Sequence, residues 1–96
     1  MGEEIKGGLD FGQALALVRG EGKRVARAGW NGKGMFIYLV DGSTFTVNRA
    51  PLNKHFAEGT EVVYRAHVDM QYADGTLGVW SPSNSDILAT DWFEVE

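Results

Sequence analysis

No cysteine occurs anywhere in the 96 residues. Disulfides, thiolate catalysis and cysteine zinc sites are therefore excluded, and a reducing compartment is compatible with the chain. Cations are also scarce: Lys and Arg number 9 against 13 Asp and Glu, a formal charge of −4. Attachment to duplex DNA or RNA, or to a membrane surface, by bulk charge needs many phosphate-neutralising side chains, so neither partner is expected. No apolar run is long enough for a transmembrane span. The opening MGEEIKGG lacks the apolar core of a signal peptide, and Lys6 stands where a myristoylation signal needs Ser or Thr. A cytoplasmic, soluble protein is expected, with residues 1–8 a flexible arm. A phosphate loop and a Gly-x-Ser-x-Gly elbow are both missing, and Gly29 to Gly34 is too short for a dinucleotide fingerprint.

What is present suits one folded domain over residues 9–96. Hydrophobic residues make up 44% and aromatics 11%, a folded and not a disordered composition. A chain of this size buries roughly 60 to 68% of its unfolded surface, enough for one modest core.

Phe11, Ala14, Leu15 and Val18 fall at helical spacing, with Asp10 placed to cap and Gln13 to complete a capping box. A helix over about 10–19 is expected, ended by Gly20 and Gly22. Arg24 to Ala28 reads as a short strand, and Asn31-Gly32 as a turn. Met35 to Val40 is apolar at every position, which suits a central strand covered on both sides. Asp41-Gly42 marks another turn into a strand over Thr44 to Val47, a second hairpin. Ala50 to Gly59 is expected to be loop with one helical turn.

Val62 to Val79 has the plainest period. Val62, Tyr64, Ala66, Val68, Met70 and Tyr72 fall on one strand face, with Arg65, His67, Asp69 and Gln71 on the other. A two-residue loop at Asp74-Gly75 sets Tyr72 opposite Leu77, Met70 opposite Val79 and Asp69 opposite Trp80. That register places an indole on the polar face. Ser83 or Ser85 can cap a short helix over Asp86 to Thr90, and Trp92 to Val95 closes the chain as a strand or docked tail. The expected fold is α+β: a small antiparallel sheet of four to six strands, an N-terminal helix packed on it and a short C-terminal helix.

Several constellations could carry chemistry. His67 and Asp69 share a strand face and could act as a general base pair or as two metal ligands. Only His55 could join them as a histidine, so neither a metal site nor a hydrolytic enzyme is expected, and no cofactor is implied. Trp30 and Met35 flank a turn carrying Asn31 and Lys33. They could offer a stacking face, an amide and a cation to one ligand, or Trp30 could simply pack in the core. Ser83, Asn84 and the helix start near Asp86 could accept an anionic or hydroxyl-rich ligand, or serve as caps alone. Indole faces at Trp30 and Trp80 suit flat bases, and Arg27, Lys33 and Arg65 could each meet one phosphate. The sum reads as a small nucleotide binder without machinery to cut its ligand. A domain this small can hardly hollow a pocket of several hundred Å3 from its own core, so a pocket shared between chains is expected.

The ordered motifs Trp30-Asn31-Gly32-Lys33-Gly34-Met35, Asn48-Arg49-Ala50-Pro51-Leu52-Asn53, His67-Val68-Asp69-Met70, Ala73-Asp74-Gly75 and Trp80-x-Pro82-Ser83-x-x-Asp86-Ile87-Leu88-Ala89-x-Asp91-Trp92 resemble the Thoeris anti-defence type 2 family. The resemblance covers about residues 9–95. It implies a phage or prophage sponge that sequesters an immune signalling nucleotide without degrading it. The implied ligands are glycocyclic ADP-ribose isomers, and in some members cyclic di- or trinucleotides at a separate site. The implied assembly is a homotetramer with ligand sites between protomers. By motif, Trp30 and Met35 would form apolar walls, Asn31 would bond base or ribose, and Ser83, Asn84 and Asp86 would line the polar side, with Arg65, His67, Asp69 and Trp80 completing the set. An interaction module of a phage assembly is the alternative, and a small hydrolase using His67 and Asp69 a further one.

Overall fold

Asp10 starts the first helix as the spacing predicts: it accepts the Gln13 amide at 2.8 Å, and its own amide donates to Gln13 Oε1 at 2.9 Å. This computed structural model describes residues 7–30 and 33–96. Most of the expected flexible arm and the whole Asn31-Gly32 turn lie outside the described residues. The first helix, α1 (Phe11–Glu21), runs through Gly20 and stops at Gly22, which takes the left-handed conformation at φ +64°.

Among the described residues seven strands follow the helix: β1 (Arg24–Arg27), β2 (Phe36–Val40), β3 (Ser43–Thr46), β4 (Glu61–Tyr64), β5 (His67–Gln71), β6 (Leu77–Val79) and β7 (Trp92–Val95). A short α2 (Asn84–Leu88) precedes β7, and one 3-10 turn, Leu52–Lys54, lies between β3 and β4. Five strands form one antiparallel sheet in the order β6-β5-β2-β1-β7, while β3 and β4 form a separate pair. The fold is α+β, with β2 the central strand that its unbroken apolar run demands.

The core lies on one face of the five-stranded sheet. Ala14, Leu17 and Val18 of α1 pack with Val25, Ile37, Met70 and Trp92, and Phe11, Trp30, Met35 and Trp80 close around them. The opposite face has no helix over it. By alternation it carries Phe36, Tyr38 and Val40 from β2, Leu77 and Val79 from β6, and Phe93 and Val95 from β7. Leu77 and Val79 are 60% and 69% exposed. The cover on both sides expected for β2 is therefore supplied on one side only within a single chain.

Two expectations need correction. Asp41-Gly42 does not turn β2 back onto β3. Val40 pairs with His67 and Ser43 with Tyr64, so three steps along one strand match three steps back along the other. β2–β3 and β4–β5 are thus two halves of one ribbon in one register, interrupted at residues 41–42 and 65–66. Gly42 is needed at that break, since a Cβ there would lie 2.6 Å from the Tyr64 carbonyl oxygen. The distal half leaves the sheet as an arm, so Val62 and Tyr64 do not share the core face of Val68 and Met70. The molecule is correspondingly elongated, 49 Å by 28 Å by 25 Å.

The second correction is a one-residue slip in the β5–β6 hairpin. Asp69 pairs with Val79, Met70 with Gly78 and Gln71 with Leu77. Tyr72 donates to the Thr76 carbonyl at 2.8 Å, leaving a three-residue loop closed by Gly75 at φ +87°. Asp74 fastens the loop by accepting the Thr76 amide at 2.9 Å and its hydroxyl at 2.6 Å. A slip of one residue exchanges the faces of β6. Leu77 and Val79 therefore turn outward, and Trp80, whose amide donates to Val68 at 2.9 Å, turns to the core side.

Candidate functional site

β1 delivers Arg27 to the core side of the sheet, two residues beyond buried Val25, and the chain then bends so that Trp30 lies over Trp92. The Trp30 and Trp92 rings are 5.3 Å apart at 79°, and Trp30 and Trp80 are 6.4 Å apart at 66°. These are edge-to-face contacts, the geometry that ring quadrupoles favour. Trp30 and Trp80 are both half-buried, so each is partly core residue and partly surface.

Beside them stands α2. Its capping box joins Ser83 and Asp86: the Asp86 amide donates to Ser83 Oγ at 3.1 Å, and the Ser83 amide to Asp86 Oδ2 at 2.9 Å. Asp86 is 8% exposed, and its Oδ1 accepts from Arg27 at 2.9 Å and from the Trp30 indole at 3.3 Å. Its carbonyl accepts the Trp92 indole at 3.0 Å. Arg27 Nε donates to Asp91 at 2.9 Å, and Asp91 Oδ2 accepts the Gly29 amide at 2.8 Å. Hydrogen bonds to Asp91 and then to Asp86 hold the Arg27 guanidinium even more firmly protonated than usual. Burial pushes the Asp86 carboxyl up. The Ser83 amide, Arg27, the Ser83 hydroxyl and the Trp30 indole outweigh it and hold that carboxyl below the ordinary range. Asp91 is also held low, chiefly by its hydrogen bond with Arg27.

Of the residues expected from the sequence, Trp30, Trp80, Ser83 and Asp86 meet here. Asn84 lies exposed in the first turn of α2. Met35 joins the rim of the core. Asn31 lies outside the described residues. Arg65, His67 and Asp69 stand elsewhere: Arg65 in the exposed break between β4 and β5, the other two on the open sheet face. His67 Nε2 is 3.2 Å from Asp69 Oδ1, but that oxygen is closed off from solvent and has no hydrogen-bond partner. Their cross-strand neighbours are Val40, Tyr38 and Val79. Among the described residues no group of three or more His, Asp or Glu side chains is placed to hold a metal ion.

Two features of the site were not expected. Arg27 was read only as a phosphate contact, and Asp91 was given no role. Alternation from Val25 puts Arg27 on the inward face, where an arginine needs a carboxylate, and that was the available signal. A cleft of about 510 Å3 also lies in the arm, between the Phe45 and Tyr64 rings and Asn48, Arg49, Pro51 and Leu52. It contains none of the expected site residues.

The fold and site define a small α+β domain in which an ion-paired network fixes tryptophans beside a capped helix. Residues 9–95 match the family model described as a Tad2-like, Thoeris anti-defense 2-like domain. The chain is also 34% identical over 89 residues to the protein named Thoeris anti-defense 2 of Bacillus phage SP01, covering 92% of this chain and 96% of that protein. The chain belongs to the Thoeris anti-defence 2 family.

Proposed function

We propose that the chain is a non-enzymatic anti-defence protein that binds and sequesters a cyclic nucleotide immune signal of the glycocyclic ADP-ribose type and releases it chemically unchanged. The observation that carries this reading is the convergence of half-buried Trp30 and Trp80 with exposed Ser83, all set around buried Asp86. Indoles there supply a stacking face for a base, each stack worth about 1 to 3 kcal/mol. The Ser83 hydroxyl and the α2 first turn, with Asn84, supply partners for ribose. Family membership supports the anti-defence role.

The working form is a homo-oligomer, a tetramer by resemblance, acting in the host cytoplasm. The open face of the sheet supports a second copy: Leu77 and Val79 stand 60% and 69% exposed there, beside half-buried Phe36, Tyr38, Val40, Phe93 and Val95. His67, Asp69 and nearby Arg65 lie on or beside that face, so they would enter a ligand site only where protomers meet. The arm cleft, with Arg49, Asn48 and two aromatic rings, has the size of a separate site for a cyclic oligonucleotide. No helix among the described residues is long and apolar enough to cross a membrane.

Purified protein mixed with glycocyclic ADP-ribose should bind it and return it intact after heat denaturation. Recovery of a cleaved product would instead favour a hydrolase using His67 and Asp69. The open sheet face also favours a second reading, an interaction module of a phage assembly. Calorimetry separates the two, because such a module should give no heat with cyclic nucleotides.

A further inference from the structure

We propose that Arg27 is the positioning residue of this site: its guanidinium, shared between Asp86 and Asp91, holds the Trp30 indole and the start of α2 in the arrangement that a ligand meets. Only the ligand half of this inference rests on the sequestration reading. The bonds form two chains that start from one side chain. Through Asp86, Arg27 reaches the Trp30 indole nitrogen and the Ser83 amide. Through Asp91 it reaches the Gly29 amide, the residue before Trp30. The ring and the backbone that carries it are thus fixed by the same cation.

A stability role alone explains this cluster poorly. Partly desolvated ion pairs seldom add net stability over apolar packing of the same volume, and they are retained where geometry has to be unique. Arg27 is 19% exposed at the side chain and its carboxylate partners are 11% and 34% exposed, in a chain with little core to spare. The planar fork matters, because two carboxylates on different segments are met by different nitrogens at fixed angles, which a lysine ammonium cannot reproduce. Gly29 fits the same design. A Cβ there would stand 3.0 Å from Asp91 Oδ2, so admitting one would ask that carboxylate to give by a few tenths of an ångström.

The test uses protein labelled with nitrogen-15 at tryptophan, with the three indole signals assigned by Trp→Phe variants, alongside calorimetry with glycocyclic ADP-ribose. Arg27→Lys should move or broaden the Trp30 signal, shift that of Trp80 less, and weaken binding at least about tenfold. Trp80 is the graded comparison, since it feels the Trp30 ring at 6.4 Å while, among the described residues, its indole bonds no member of the network. Asp91→Asn, which keeps the shape of that side chain and removes its charge opposite Arg27 Nε, should act in the same direction, and it decides the matter if Arg27→Lys does not fold. An unmoved Trp30 signal in the folded variants overturns the proposal. So does lost affinity with Trp30 unmoved, which would make Arg27 a direct ligand contact. If the unaltered protein gives no heat with the nucleotide, the sequestration reading fails, and the indole spectra alone still decide the positioning role.

Discussion

Asp86 Oδ1 receives the Arg27 guanidinium at 2.9 Å and also the Trp30 indole at 3.3 Å, so that one oxygen serves a strand end and an aromatic ring while its twin caps a helix. Asp86→Ala would strand Arg27 beside a single carboxylate and remove half of the α2 capping box, leaving the Ser83 hydroxyl on the residue 86 amide. Breaking a fully buried pair costs 3–5 kcal/mol; because Arg27 keeps Asp91 and some solvent, about 2–3 kcal/mol is expected here. Thermal melting followed by circular dichroism should show the midpoint falling by roughly 8–20 °C in a domain of this size. A fall of under about 3 °C would mean that the network bears little on stability.

Acid should weaken the fold through the same carboxylates. Asp86 and Asp91 both ionise more readily folded than unfolded. As pH drops, the unfolded chain therefore takes up protons first, and stability present at neutral pH is lost below about pH 4, the ordinary range of an unfolded Asp. Urea midpoints measured from pH 7 to pH 3 should decline in that window. The decline should flatten in Asp86→Asn with Asp91→Asn, though from a lower starting value.

The arm should be separable from the body. Its strands pair only with each other, and none of its residues belongs to the core around α1. Deleting residues 43–64 and joining Gly42 to Arg65 leaves four residues between the Val40–His67 pair, a short hairpin loop of ordinary length. The shortened chain should fold with its tryptophan fluorescence unchanged and a melting midpoint within about 5 °C of the full chain. Failure to fold would show that the arm supports the sheet.

On the open sheet face, Tyr38→Glu places a charge in the middle of the apolar row while leaving the inner core untouched. If that face joins protomers, sedimentation at micromolar concentration should show the unaltered protein as an oligomer and the variant as a smaller species of native secondary structure. A monomeric unaltered protein would remove the face from the account.

Local signals in the sequence carried much of the fold. Asp10 with Gln13, and Ser83 with Asp86, are short-range pairs whose hydrogen bonds depend on neighbours alone. The first helix starts where its pair predicts, while α2, expected over Asp86 to Thr90, runs two residues earlier because Ser83 and not Ser85 is its cap. The unbroken apolar run of Met35 to Val40 likewise marked the central strand. Errors arose where the partner was distant or the turn ambiguous. Asp41-Gly42 has the composition of a turn, but its glycine serves a bend beside Tyr64, a contact that no local pattern reveals. Asp74-Gly75 was read as a two-residue loop, whereas Asp74 bonding Thr76 makes it three. The indole that this reading left among polar residues was itself the sign of a wrong register. Trp30, Trp80, Ser83 and Asp86 are four of the ten residues that the sequence groups together, and the structure brings these four near one another while His67 and Asp69, expected beside Trp80, stand on the other sheet face. The ion pairs behind the four were not legible, because Arg27 and Asp91 stand 64 residues apart.

The shared register of the ribbon has one more consequence. Residues can be added or removed at its tip in matched pairs, one from each strand, without reversing the side on which any residue of β2 or β5 points. A change of length at the far end is thus absorbed within the ribbon, while the tryptophan cluster at the opposite pole of the molecule keeps its place.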